Sequence, residues 1–356
     1  MSTGYGPKIT TDSLICYIDP GNTSSYASPG PELVTNSNLT SIDNLYENVF
    51  RDATTTSYTS LGSNTFTANQ LYSVKWRNSS RTGTISAGLR TGYNVAVKTP
   101  NIGRLPDITY IGGWIPSSTS TGGVVGDGAG TDFNLDYMSI KSISKNVSSL
   151  VGPSRNINLI NNPGYDDTYR SWYFLDPAYI EIPYNIDLHW DPGGTYGSSK
   201  KSIEMWVKTN DAAALFSKPW NGVGEYNYVL QDNRFFIISG GGGGISDGRD
   251  EFYFTSIADD KWHHIVAWLD ETNYGIIIDG STTHSAKHTQ LNGLPPNGNG
   301  SIPMAIMTTY PYGNNSASLT TSNCLSGHVG LFRIYNKVLS PVEVQFNYIS
   351  QAMRFR

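Results

Sequence analysis

Cysteine, charge and long apolar runs are all scarce in this chain, and each scarcity removes a class of protein. Two cysteines in 356 residues, Cys16 and Cys324, are too few for a disulfide scaffold and lack the paired spacing of a zinc site, so free thiols are expected. Charged residues make up 15%, with 24 Lys and Arg against 29 Asp and Glu and no basic run. A formal net charge of -5 gives no attraction to phosphate backbones, which excludes nucleic acid as an expected partner. No stretch nears the roughly 20 apolar residues of a membrane span, so membrane insertion is not expected. Residues 1–6 have neither the basic start nor the apolar run of a signal peptide, from which synthesis in a cytoplasm is expected.

What is present is strand and turn chemistry. Thirty-eight per cent of residues are hydrophobic, and 37 Gly, 23 Tyr and abundant Ser, Thr and Asn suit strands joined by turns, giving an all-β expectation. A first strand reads over 13–19 and stops at Pro20-Gly21-Asn22. Between residues 31 and 146 the chain carries its own set of strand signals, at 71–76, 93–97 and 132–140, enough for a separate sandwich. Strands then follow at 178–182, 202–208, 228–230, 234–238, 251–255, 262–269 and 274–279, with turn dipeptides at Asp232-Asn233 and Asp279-Gly280. In the strand 203–207 one face carries Ile203, Met205 and Val207; the other, with Glu204 and Trp206, is open to solvent or ligand. The single good helix signal is Ser340-Pro-Val-Glu343, a capping box with Pro at the first helical position, followed by an apolar stripe of Val342, Phe346 and Ile349.

These segments, in this order, resemble the concanavalin-like laminin-G family as it occurs in many bacteriophage and marine microbial proteins. The resemblance covers residues 8–26 and about 150–355. It is carried by Thr11-Asp-Ser-Leu-Ile-Cys-Tyr-Ile-Asp-Pro-Gly-Asn22, Asn158-Leu-Ile-Asn-Asn-Pro163, Phe174-Leu-Asp-Pro-Ala-Tyr-Ile-Glu-Ile-Pro183, Ser202-Ile-Glu-Met-Trp-Val-Lys208, Lys261-Trp-His-His-Ile265 and the closing Gly327-His-Val-Gly-Leu-Phe-Arg-Ile-Tyr335. It implies a concanavalin-like jelly-roll sandwich of residues 1–30 and 147–356 with a short C-terminal helix, and a second β-sandwich, 31–146, inserted after the first strand. The insert is similar to galactose-binding-like carbohydrate-binding modules, through Pro31-Glu-Leu-Val-Thr-Asn36 and Asp132-Phe-Asn-Leu-Asp136.

The chemistry of known relatives can be sought residue by residue. Laminarinase-like glycosidases of this fold need paired carboxylates, usually Glu-x-Asp-x-Glu on one strand face, and that motif is absent. The acidic groupings Asp166-Asp167, Asp250-Glu251 and Asp259-Asp260 alternate faces or lie in turns. His263 and His264 point opposite ways along a strand, which suits packing and hydrogen bonding better than a metal. The run Gly240–Gly244 lacks the Lys-Ser/Thr of a phosphate cradle and reads as a loop bordering the strand at 251–255. Trp114, Trp220, Tyr226 and Tyr312 lie in Gly-, Pro- and Asn-rich segments and are candidate carbohydrate platforms, although anchoring a loop is the commoner use of such rings. No cofactor is required. A structural Ca²⁺ is implied by the resemblance alone, with Glu32 and Asp136 of the insert at the matching positions; ordinary surface carboxylates are the other reading.

Three functional expectations follow. The first is a non-catalytic bacteriophage virion protein, a capsid decoration, head fibre or tail and baseplate component, present in many copies. Its partners would be other virion proteins and host-surface glycans. The second is a secreted or surface carbohydrate-binding adhesin, and the third a glycoside hydrolase. The absent signal peptide argues against the second and the absent carboxylate motif against the third.

Overall fold

Alternation of apolar and polar residues becomes a two-layer sandwich in which nearly every pairing is antiparallel. The structure, a computed structural model, describes residues 9–22, 24–26, 29–30, 59–82, 87–91, 94–98, 109–115, 120–126, 132–151, 157–161, 163–175, 177–190, 198–212, 214–218, 226–239, 248–288, 303–308 and 324–355. Contacts divide the chain into two compact units, one of Met1–Tyr26, Asn146–Asn161 and Asp167–Arg356, the other of Ala27–Lys145 and Asn162–Asp166.

In the first unit, one sheet runs in the order Ser171–Phe174, Gly327–Tyr335, Lys201–Thr209, Trp262–Leu269, Asn273–Ile278, Thr282–Lys287. The first strand, Leu14–Ile18, joins it antiparallel to Gly327–Tyr335, with Leu14 opposite Tyr335 and Ile18 opposite Phe332. The second sheet runs Gly248–Tyr253, Arg234–Ser239, Tyr226–Gln231, Ala214–Lys218, Met304–Ile306, Tyr179–Ile182, Ile157–Ile160, Asn146–Val147. Their facing surfaces make the core: Ile203, Met205, Ile265, Ala267 and Phe332 of the first sheet are fully buried, as are Ile180, Ile306, Phe216, Leu230 and Phe235 of the second. Phe216 meets Phe332, and Phe235 meets Tyr274, edge to face at 6.5 and 5.5 Å. Asp279 and Gly280 adopt φ of 51° and 74°, left-handed backbone in the three-residue turn that joins Ile278 to its partner Thr282.

The polar side of the first sheet is not open, contrary to expectation. The helix Pro341–Phe355 covers it, and Glu204 and Trp206 are buried beneath. The capping box forms as read: the Ser340 amide donates to Glu343 Oε2 at 2.9 Å and the Glu343 amide to Ser340 Oγ at 3.3 Å. The helix is turned otherwise than its apolar stripe suggests. Val344, Asn347, Ala352 and Phe355 are the buried residues, whereas Val342, Phe346 and Ile349 are 61%, 49% and 47% exposed. Packing of Trp206 against Phe355 and Tyr348, with centroids at 4.7 and 5.6 Å, selects the face that contains them.

The second unit has a four-stranded sheet, Thr59–Phe66, Ser120–Gly126, Ala87–Thr91, Asn94–Lys98, and a three-stranded one, Thr109–Trp114, Leu71–Thr82, Asp132–Ile143. Phe66, Leu71, Val74, Ile111, Ile140 and Ile143 are buried. Asn162–Asp166 groups with this unit: Ser73 Oγ donates to the Tyr165 carbonyl at 3.0 Å, and Lys75 Nζ lies 2.8 Å from Asp166 Oδ1. The two ends of the intervening chain are close in space, since the Ser148 amide donates to the Ser25 carbonyl at 2.8 Å and the Gly30 amide to the Ser142 carbonyl at 2.8 Å. Such proximity is what an insertion into a surface loop needs. Cys16 and Cys324 are both buried free thiols, and Cys324 Sγ lies 3.1 Å from Thr308 Oγ1.

Candidate functional site

A buried cluster of charged side chains in the first unit is structural. Period-two alternation sends Glu204 to the helix side of its strand, and the register Glu204↔Arg333 and Glu204↔Val266 places it between two neighbours. Its Oε1 accepts from Arg333 Nη1 at 2.8 Å and lies 2.9 Å from His264 Nε2, while Oε2 accepts from Tyr335 Oη and Asn347 Nδ2, each at 2.9 Å. Burial works against the charge, but Arg333, His264 and Tyr335 overcome it and hold the carboxyl at about 2. Arg333 also stacks over the Tyr17 ring at 4.5 Å, and the Thr10 amide donates to Asn347 Oδ1 at 2.8 Å, so the same cluster ties down the N-terminal segment. A carboxylate saturated in this way and roofed by a helix has no path to a substrate.

His263, on the next residue and the opposite side, sits between two acids at 2.9 Å from Asp279 Oδ2 and 3.0 Å from Asp259 Oδ1. Its hydrogen bond with Asp279 raises its pKa above the ordinary 6.5, against the opposing effect of burial, and Asp259 adds to the rise. Among the described residues, no group of three or more His, Cys, Asp or Glu is arranged to hold a metal ion.

A surface with recognition chemistry lies on the outer face of the second sheet, at its Gly248–Tyr253 edge. Arg234 stands opposite Tyr253 and Phe236 opposite Glu251, so these four side chains share one face of the hairpin. The Arg234 guanidinium lies 4.9 Å from the Phe236 centroid, donates from Nε and Nη2 to Gln231 Oε1 at 3.1 and 2.6 Å, and reaches Glu251 Oε2 from Nη1 at 3.4 Å. Tyr253 Oη donates to Glu251 Oε1 at 3.3 Å, yet the residue is 61% exposed. A half-free aromatic ring beside a fixed guanidinium and a carboxylate is the arrangement on which a pyranose ring packs its C–H face while its hydroxyls find donors and acceptors.

The Gly240–Gly244 run, read as a loop bordering the strand at 251–255, lies outside the described residues; Arg234 and Tyr253 were not singled out, because their meeting depends on hairpin register. Of the rings singled out in sequence, Trp114 ends a strand of the second unit and Tyr226 begins one of the first, with side chains outside the described residues. Trp220 and Tyr312 lie wholly outside them, as does Glu32; Asp136 falls in a described strand without its side chain.

Residues 186–345 match the concanavalin A-like lectin/glucanases superfamily. That stretch includes Glu204 with His264, Arg333 and Tyr335, the Arg234 surface and the capping box, and ends before Asn347. No curated protein matches the chain. Solved structures similar to it include the binding domain of botulinum neurotoxin DC in complex with rat synaptotagmin II, at 13% identity and a TM-score of 0.40, covering 58% of this chain and 49% of that one. Another is the binding domain of paraclostridial mosquitocidal protein 1, at 16% identity and a TM-score of 0.41, covering 58% and 49%. The match thus spans about half the length of these solved chains. The fold is an all-β, concanavalin-like sandwich with one C-terminal helix.

Proposed function

We propose that this is a non-catalytic, lectin-like protein that binds glycans at the Arg234, Glu251 and Tyr253 surface. The observation that carries the reading is the exposed Tyr253 ring held beside the Arg234–Glu251 pair on a superfamily-matched sandwich. Against hydrolysis stand the engagements of the best-placed carboxylates, Glu204 by four partners and Glu251 by Arg234 and Tyr253. A glycan array, followed by calorimetry and by reducing-sugar assays on β-glucans and galactans, tests it. Binding without turnover is expected. Sugar release abolished by Glu251→Gln would replace it with the glycosidase reading.

The setting we propose is a bacteriophage virion, with the protein made in the host cytoplasm and built into the particle in many copies. Support comes from the resemblance of residues 8–26 and 150–355 to phage-borne sandwiches, and from an architecture that reserves 31–146 as a second module beside the jelly roll of 1–30 and 147–356. Mass spectrometry of purified particles checks this, and absence of the chain from them would favour a cell-surface adhesin. A structural Ca²⁺ at Glu32 and Asp136 belongs to the same proposal; a melting temperature unmoved by chelator would remove it.

A further inference from the structure

The C-terminal helix has two apolar faces and uses only one. Val344, Asn347, Ala352 and Phe355 pack onto the sheet, while Val342, Phe346, Ile349 and Met353 point outward with exposures of 61%, 49%, 47% and 95%. The outward set is spaced four, three and four residues apart. That is the a/d rhythm of a helix seam that fits another helix, continued over the whole length of the element. The four side chains present roughly 500 Å² of apolar surface, at the upper end of what a monomer ordinarily shows as one patch.

We infer that this stripe is a homodimer interface, occupied by the same helix of a second copy across a two-fold axis. Three observations select that partner. First, the stripe is self-complementary when the two helices run antiparallel: Phe346 meets Ile349 of the other copy, and the small Val342 meets the long Met353, with the two helix dipoles opposed. Second, among the described residues no charge opposes itself across the seam. Glu343, the acid flanking the stripe, is neutralised by Lys337 at 2.6 Å, and the other flanking positions are Gln345, Ser350 and Ala352. Third, two such stripes together remove about 1,000 Å² from water, enough for a specific though weak association. A lipid surface fits poorly, since helices that lie on membranes carry free Lys and Arg beside the apolar stripe. Here Arg354 is consumed by Asp19 Oδ1 at 2.6 Å and by the carbonyls of Tyr169, Arg170 and Gly330.

The interface is independent of the glycan surface, so each can fail alone. Sedimentation equilibrium of the full chain is expected to show a dimer with a dissociation constant on the order of 10 µM. Phe346→Glu with Ile349→Glu should weaken it at least tenfold, on the order of 1.4 kcal/mol, without moving the melting temperature measured well below the dissociation constant, where the parent is monomeric too. Because Met353 is almost wholly exposed, Met353→Lys supplies a variant whose folding is not in question, and it should weaken the dimer as well. Mixed Val342→Cys and Met353→Cys chains should form a disulfide with each other faster than with themselves. A chain that stays monomeric at roughly 100 µM, or a dimer indifferent to these substitutions, overturns the inference.

Discussion

Glu204 Oε1 and Arg333 Nη1 meet at 2.8 Å on neighbouring strands, both side chains wholly out of water. The pair is the centre of a cluster that joins the first strand, the last strand and the helix. Removing one partner leaves an uncompensated charge in the interior, which costs roughly 3–5 kcal/mol. Glu204→Gln and Arg333→Met are each expected to lower the unfolding free energy read from urea titration by that order, whereas the double replacement should cost markedly less than the sum. A loss below about 1 kcal/mol for either single variant would show that the pair is not holding the layers together.

The same cluster predicts acid sensitivity. Glu204 is held at about 2 against an ordinary value of 4.5. Its stabilisation is therefore complete above 4.5 and is lost as pH falls from there toward about 2, a contribution of roughly 3 kcal/mol. Chemical denaturation at stepped pH should show this fall in the parent protein and a much flatter profile in Glu204→Gln.

His263 titrates with the opposite sign. Its pKa is raised by Asp279 and Asp259, so its contribution is full below 6.5 and disappears as pH climbs through the folded-state value. Nuclear magnetic resonance titration should place the imidazole above 6.5. The stability difference between the parent and His263→Gln should shrink with rising pH, and a difference that grew instead would contradict the geometry.

Gly330 leaves room for Phe355, whose ring would collide with any Cβ there. Gly330→Ala is expected to lift the last helical turn, costing about 1–3 kcal/mol and exposing Trp206. A red shift in tryptophan emission with the sheet otherwise intact is the measurement.

At the proposed glycan surface, Tyr253→Ala removes the stacking ring and should weaken binding about two- to tenfold, since such a ring contact is worth about 0.5–1.5 kcal/mol. Arg234→Gln should have a comparable effect on affinity. Tyr253 is largely exposed, so its variant is expected to leave the melting temperature unchanged. Unaltered affinity in both would move the search to another surface.

Much of the jelly roll could be read from the residues. The strand Trp262–Leu269 appears with the bounds its apolar pattern gives, and the capping box of Ser340 and Glu343 appears with both reciprocal bonds. The strand Thr282–Lys287, Thr-Thr-His-Ser-Ala-Lys, escaped because an edge strand exposed on both sides carries no apolar alternation. The helix shows the limit of periodicity. Spacing reveals that Val342, Phe346 and Ile349 share a face, but not that Trp206 would draw the opposite one inward. Arg234 and Tyr253, nineteen positions apart, become neighbours only through the register of a hairpin whose intervening stretch, 240–247, begins with five glycines.

The pairing of Leu14–Ile18 with residues 332–335 imposes an order of events on a growing chain. The strand at 14–18 leaves the ribosome about 320 residues ahead of its partner, a loop that must close late. Until then Cys16 and Ile18, buried in the finished sheet, have nowhere to go, while Leu71–Thr82 and Asp132–Ile143 of the second unit are both made early enough to pair first. The nascent protein thus passes through a stage with one unit closed and the other holding an orphan strand, the stage at which chaperone capture or aggregation decides its yield. Pulse proteolysis of stalled chains ending before and after residue 335 should find the second unit protected in both and the first unit only in the longer.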